Sequence, residues 1–203
     1  MKNIKKLYTD NSNYFKYNTN NVFIYITKVN FLFNYKTTLD KLLLEKLINK
    51  NKIAYSEQVH SDRVLYINKP GLYKCSDGLV TKCSNKIILK IQTADCVPIS
   101  MYDHKNGLIG LIHSGWKGTK MSICNNAVRL FLKKGSKIEN IQIFLGPSIE
   151  KCCYEIKNDV SEQFDNKYII NMKDKMFLDV KLKIIDDLLL FGIKNNNIFN
   201  SNI

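Results

Sequence analysis

The sequence predicts an α+β fold, and three observations carry the prediction. Two apolar runs flank Asn106-Gly107 in the middle of the chain. That dipeptide between hydrophobic segments is a strong antiparallel hairpin signal, because a type I′ turn needs positive φ at both central residues. Helical stripes and strand-like runs then alternate irregularly, without the regular strand–helix–strand period of a parallel sheet. Finally, 203 residues with 45% hydrophobic content suffice for one core without disulfide staples. One domain over residues 1–203 is the expected organisation.

Taken in order, residues 1–20 are polar and rich in Asn and Lys, and loose order is expected there. Val22–Thr27 and Val29–Phe33 are β-branched and aromatic and read as strand. Thr37 with Asp40 resembles a capping box, and Leu39, Leu42, Leu43, Leu47 and Ile48 follow at helical spacing. Ile53–Val59 and Val64–Ile67 read as short strands around His60-Ser61-Asp62, with turns at Pro70-Gly71 and a loop at Asp77-Gly78. Ile87–Gln92 is a further strand leading into the hairpin, which pairs Val97–Tyr102 with Leu108–His113. A helix is predicted over Lys120–Leu132, with Ile123, Cys124, Ala127, Val128, Leu130 and Phe131 on its apolar face. Ile141–Leu145 reads as a buried strand, Asp159–Phe164 as a short helix, Leu178–Phe191 as a long one stopped by Gly192, and Asn197–Phe199 as a last strand.

The formal net charge of +13 raises the question of nucleic acid. Its distribution argues against that partner: the lysines are scattered, and the only arginines are Arg63 and Arg129. No apolar run approaches a membrane span, and the basic N-terminus lacks the apolar segment of a signal peptide, so a cytoplasmic protein with no membrane partner is expected. The six cysteines are accordingly expected as reduced thiols. Cys124 reads as a small core hydrophobe, and the adjacent Cys152 and Cys153 are badly placed to pair with each other.

Chemistry enters with the hairpin, whose pairing brings Cys96 and His113 to the same end of the ladder, while His60 also ends a strand. Two imidazoles and one thiolate form the kind of three-ligand set that holds catalytic zinc with a fourth position open. The same atoms without metal read as a cysteine hydrolase, with Cys96 as nucleophile and His113 as base, and the residues alone leave both readings open. The third histidine, His104, falls in the hairpin loop. Gly115 and Gly118 flank Trp116-Lys117 before the predicted helix, and backbone N–H groups beside a lysine form a seat for an anion such as phosphate; a plain glycine turn into the helix is the simpler account.

Six motifs in order connect these residues: Gln58-Val59-His60, Ser76 to Thr81, Gln92 to Pro98, His113 to Gly118, Leu145 to Ile149, and Cys152 to Glu155. Together they resemble the YfiH-like family, also called the laccase-domain or polyphenol oxidase family. The resemblance implies a compact α/β/β/α sandwich of the type shared with cytotoxic necrotizing factor-like deamidases. It implies a zinc site of His60, Cys96 and His113. Beside such a site, phosphate is expected near Gly115, Gly118 and Lys117, Asp95 as a partner that orients a ligand, and Asp77 as a polar contact or, equally, a cap in the Asp-Gly turn. The implied activities are phosphorolysis of adenosine, inosine, guanosine and methylthioadenosine, and deamination of adenosine. Some members are described instead as editing factors for cell-wall peptide synthesis, and a zinc-binding member acting through protein partners is a further alternative. Copper is set aside as the cofactor, because three histidines cannot hold several coppers. Two departures from the family pattern stand out. The glycine-rich loop usual before the His60 motif is not seen, and neither are the Cys-Thr and Phe-Ser-Tyr-Arg segments usual near the end.

Overall fold

The computed structural model describes residues 48–201 together with strands β1 (Tyr8–Asp10), β2 (Tyr14–Thr19) and β3 (Val22–Thr27). The predicted strand Val29–Phe33 and the helix predicted from Thr37 lie outside the described residues, apart from Ile48. β1, β2 and β3 form an antiparallel sheet in that order, so two strands occupy a stretch that composition had marked for loose order.

A six-stranded mixed sheet forms the centre, in the order β15-β11-β9-β10-β7-β5. Its members are β5 (Val64–Tyr66), β7 (Gly78–Lys82), β9 (Val97–Asp103), β10 (Leu108–Ser114), β11 (Ile141–Leu145) and β15 (Ile198–Asn200). The predicted hairpin, β9 with β10, lies in the middle. A smaller sheet, β6-β4-β8, consists of β4 (Ile53–Ser56), β6 (Gly71–Tyr73) and β8 (Ile88–Lys90). A third, β12-β14-β13, is built from β12 (Glu155–Ile156), β13 (Ile169–Met172) and β14 (Lys175–Leu178). The described helices are α1 (Trp116–Lys120), α2 (Ile123–Lys133), α3 (Asn158–Ser161) and α4 (Val180–Phe191). Among the described residues no helix is long and apolar enough to cross a membrane.

The two faces of the hairpin are set by the period-2 alternation of its residues. Ile99, Met101, Leu108 and Ile112 are buried with Val80 against Ala127, Val128 and Phe131 of α2, and α4 packs on α2 in turn. On the other face Leu79 meets Ala54, Ile67 and Ile87 beneath the small sheet. Ile109, Leu111 and His113 alternate onto that second face, because directly opposed residues share a side: Leu111 stands across from Leu79. The chain is therefore a mixed α+β fold with helices on one side of the large sheet and a second sheet on the other. The motif-rich end of the hairpin opens on the small-sheet side.

Several elements differ from the sequence reading for definable reasons. The hairpin loop is four residues, His104 to Gly107, rather than a two-residue turn, since Leu108 pairs with Asp103. Only Gly107 of the Asn-Gly pair takes positive φ. Asp103 Oδ1 instead accepts the amides of Lys105 and Asn106, and the Asn106 side chain donates to Lys134 O at the end of α2. The helix predicted over Lys120–Leu132 begins earlier and is broken at Ser122, which sits in the left-handed region at φ 56°. Ser122 Oγ donates to Asp187 of α4, so the break is tied to the neighbouring helix. β7, read as loop because Asp-Gly opens it, is buried over Gly78–Thr81 and pairs with both β10 and β5.

Gly110 lies in the middle of β10, where an added Cβ would meet the Phe131 ring at 3.0 Å and Val80 at 3.3 Å. Gly110→Ala is expected to cost about 1–3 kcal/mol by chemical denaturation, as overpacking of a filled core does. Combined with Phe131→Leu the costs should be less than additive, because the smaller side chain vacates the space. Strict additivity would count against this contact.

Candidate metal centre

His60 stands on the loop between β4 and β5 and takes φ 58°, an unusual conformation for a residue with a Cβ. The loop is held from two sides. Gln58 Nε2 donates to Gln92 O at 2.7 Å while Gln92 N donates back to Gln58 Oε1 at 2.8 Å, fastening the loop to the segment that leads to Cys96. From the other side the loop closes around the carboxylate of Asp77. Val59 N, Ser61 N and Ser61 Oγ donate to Asp77 Oδ2 at 3.2, 2.7 and 2.7 Å, and His60 N donates to Oδ1 at 3.0 Å.

Asp77 is fully buried, directly before β7, and its backbone carbonyl accepts the His113 amide at 2.7 Å. His113 Nδ1 lies 2.9 Å from Asp77 Oδ1. Burial alone would raise the Asp77 pKa, but the bonds from His113 and Ser61 outweigh it and hold the carboxyl below its ordinary range. A carboxylate only accepts, so His113 carries its proton on Nδ1 and leaves the Nε2 lone pair free. Burial pushes the His113 pKa down, with Asp77 opposing the shift and His60 adding to it, so the ring is neutral near pH 7.

Cys96 immediately precedes β9, beyond the last hairpin pair of Val97 with Ser114. Its Sγ is 4.0 Å from His60 Nε2, and the two imidazole centroids are 4.9 Å apart in an edge-on arrangement. One ligand atom from each of His60, Cys96 and His113 falls within 4.8 Å of the others. Burial raises the thiol pKa, with the charges of Asp95 and Asp77 adding to the rise. Such a negative surrounding suits a cation, which would lower that pKa and take the thiolate as ligand. The donor set of two imidazoles and one sulfur fits a tetrahedral metal with a position left open.

The other residues singled out from the sequence take separate places. Asp95 is exposed beside Cys96, and its backbone carbonyl accepts the Ile149 amide at 3.0 Å. A Cβ on Gly115 would stand 2.9 Å from His60 Cδ2 and 3.0 Å from Cys96 Sγ, so a side chain here would enter the cluster itself. A Cβ on Gly118 would stand 3.1 Å from the Ser61 carbonyl, which lets α1 lie close against the His60 loop. Lys117 is exposed, with Nζ 5.5 Å from the Trp116 ring centroid. His104 sits at the opposite end of the hairpin and takes no part. The sequence reading gave no role to Ser61 or to the motif residues Gln58 and Gln92, although the polar run His60-Ser61-Asp62 between two strands marked a loop needing internal bonds.

Comparison with known proteins identifies a family and several relatives. A family model described as multi-copper polyphenol oxidoreductase laccase matches residues 34–203. A protein of Borreliella burgdorferi named purine nucleoside phosphorylase is 32% identical over 171 residues, covering 80% of this chain and 74% of that one. A protein from an unknown prokaryotic organism named adenosine deaminase RL5 is 29% identical over 143 residues, covering 66% of this chain but only 54% of its own length. Among solved structures, the Bacillus licheniformis hypothetical protein YfiH superposes with a TM-score of 0.76 at 26% identity, over 82% of this chain and 69% of that one.

Two substitutions test the geometry. Asp77→Asn keeps the shape but removes the charge, and should destabilise the fold by about 2–4 kcal/mol and weaken metal retention about 10–100-fold, read by denaturation and metal analysis. Because the folded pKa of Asp77 is depressed, its stabilising contribution is present above the ordinary value of 3.8 and is lost as pH falls through the folded value. The Asn variant should therefore lose part of the acid dependence of stability; an unchanged acid slope would contradict the assignment. Gly115→Ala should lower metal stoichiometry at little cost to thermal stability, since its methyl group meets two ligands rather than the main core.

Proposed function

The chain belongs to the YfiH-like family, whose model carries the laccase description, and from that premise we propose a zinc-dependent purine nucleoside phosphorylase that also deaminates adenosine. The observation carrying this reading is the His60–Cys96–His113 cluster, with Asp77 fixing the tautomer of one ligand. The names of the Borreliella protein and of the adenosine deaminase supply the substrate class. Adenosine, inosine, guanosine and methylthioadenosine are the proposed nucleosides, with phosphate as co-substrate. The six unpaired cysteines fit a reducing cytoplasm.

Zinc is preferred to copper on the donor count, since His104 is remote and two imidazoles with one thiol make a single site. When bound, zinc supplies Lewis acidity and activates water near neutral pH. The residues of the chain do the rest. Asp77 keeps Nδ1 of His113 protonated and Nε2 directed at the cluster. The Gln58–Gln92 bonds fix the separation between the His60 loop and the Cys96 segment. Gly115 keeps a side chain out of the cluster, and Lys117, two residues on, would offer an ammonium to phosphate. In phosphorolysis a phosphate oxygen attacks the anomeric carbon and the purine leaves; in deamination water adds at the purine carbon bearing the amine and ammonia leaves.

One arrangement favours a second reading. Asp77, His113 and Cys96 follow the order of an oriented base beside a thiol, as in a cysteine hydrolase. The raised Cys96 pKa runs against it, because nucleophilic cysteines have depressed values.

The test is chromatographic: purified protein with adenosine and with inosine, each with and without phosphate, beside Cys96→Ala, with zinc measured in both. Phosphate-dependent release of free base and phosphate-independent formation of inosine are expected, and both should fall by about two orders of magnitude or more with loss of the metal ligand. Full zinc retention in Cys96→Ala would remove the metal assignment. No turnover by zinc-loaded protein would remove the nucleoside reading, and iodoacetamide-sensitive, chelator-resistant hydrolysis would favour the thiol mechanism.

A further inference from the structure

Cys152 and Cys153 were expected to be badly placed to pair with each other. Both thiols are free in the structure, yet their sulfurs are neighbours. The chain turns sharply here: Cys153 N and Tyr154 N both donate to Glu150 O, at 2.9 and 3.0 Å. This turn brings both side chains to one side, and the two sulfurs are 2.9 Å apart. Both residues are exposed, so a small solute reaches either sulfur. The segment carrying the pair borders the one that bears Cys96. Ile149 N bonds the carbonyl of Asp95, and the half-buried Tyr154 has its pKa raised to about 12, by burial first and then by the charges of Cys96 and Asp95.

We propose that Cys152 and Cys153 form a modification site, which a low-molecular-weight disulfide oxidises reversibly to a vicinal disulfide. The step is two successive thiol–disulfide exchanges. One protein thiolate attacks the reagent disulfide, giving a mixed disulfide and releasing one small thiol. The adjacent thiolate then attacks the protein sulfur of that mixed disulfide, closing the ring and releasing the second small thiol. The protein pair loses two electrons and two protons, and the reagent disulfide is reduced to two thiols. Sulfur contact makes the second exchange intramolecular, so the mixed disulfide is short-lived. Cys75, Cys83 and Cys124 are free cysteines for which the structure records no second thiol in bonding contact, and they would stop at the mixed disulfide if they reacted at all. This proposal does not depend on the nucleoside reading.

The experiment incubates the full chain with oxidised glutathione, blocks remaining thiols with iodoacetamide and cleaves with trypsin. Cleavage after Lys151 and Lys157 yields one peptide holding both cysteines and no others. The expected result is a 152–157 peptide that carries no alkyl group, lacks two hydrogens, and regains two alkylatable thiols after dithiothreitol. Cys153→Ser should instead accumulate a glutathione adduct on Cys152, because the resolving thiol is gone. A wild-type peptide that is doubly alkylated, or that carries glutathione without closing the ring, would overturn the proposal.

Discussion

A single buried carboxylate organises the functional end of this molecule. Asp77 receives three backbone amides and a hydroxyl from the His60 loop, and an imidazole proton from His113. Each bond to an ionised acceptor is stronger than its neutral counterpart, and together they offset the cost of removing the charge from water. One residue thereby fixes both the loop bearing the first imidazole and the tautomer of the second. It also lies at the start of β7, so the central sheet itself sets its position.

The sheet supplies the third partner. Pairing of β9 with β10 places Cys96 one residue past Val97 and His113 one residue before Ser114. Separation along the chain is thus converted into adjacency by strand register, and a slip of one residue would turn His113 toward the helices. Backbone approach completes the site. Gly115 passes so near His60 and Cys96 that no larger residue fits without displacing one of them, and Gly118 admits α1 against the Ser61 carbonyl. The glycines that suggested an anion seat thus have a packing role in the fold.

Local and global electrostatics have opposite signs here. The chain carries a formal charge of +13, yet the Cys96 thiol pKa is pushed up, by burial first and then by the charges of Asp95 and Asp77. Over a few ångströms in a partly dry site, nearby carboxylates outweigh dispersed surface lysines that solvent and salt screen. A scattered positive surface therefore says little about this site, whereas the negative surroundings of Cys96 bear directly on its affinity for a cation.

What the sequence determined by itself was whatever depends on short-range pattern. The apolar alternation of the hairpin, the helical face from Ile123 to Phe131 and the cap at Gly192 were readable, because side-chain period and glycine φ preferences act over a few residues. The cluster of Cys96 with His113 was readable too, because one hairpin links them. Tertiary structure decided the rest. β7 was hidden because its burial comes from partners in β5 and β10, and Ser122 breaks a helix through a bond to α4. The closure of the His60 loop on Asp77 and the contact between Cys152 and Cys153 were equally out of reach. Each depends on a turn whose donors and acceptors become neighbours only once the chain has folded, and no local periodicity records them.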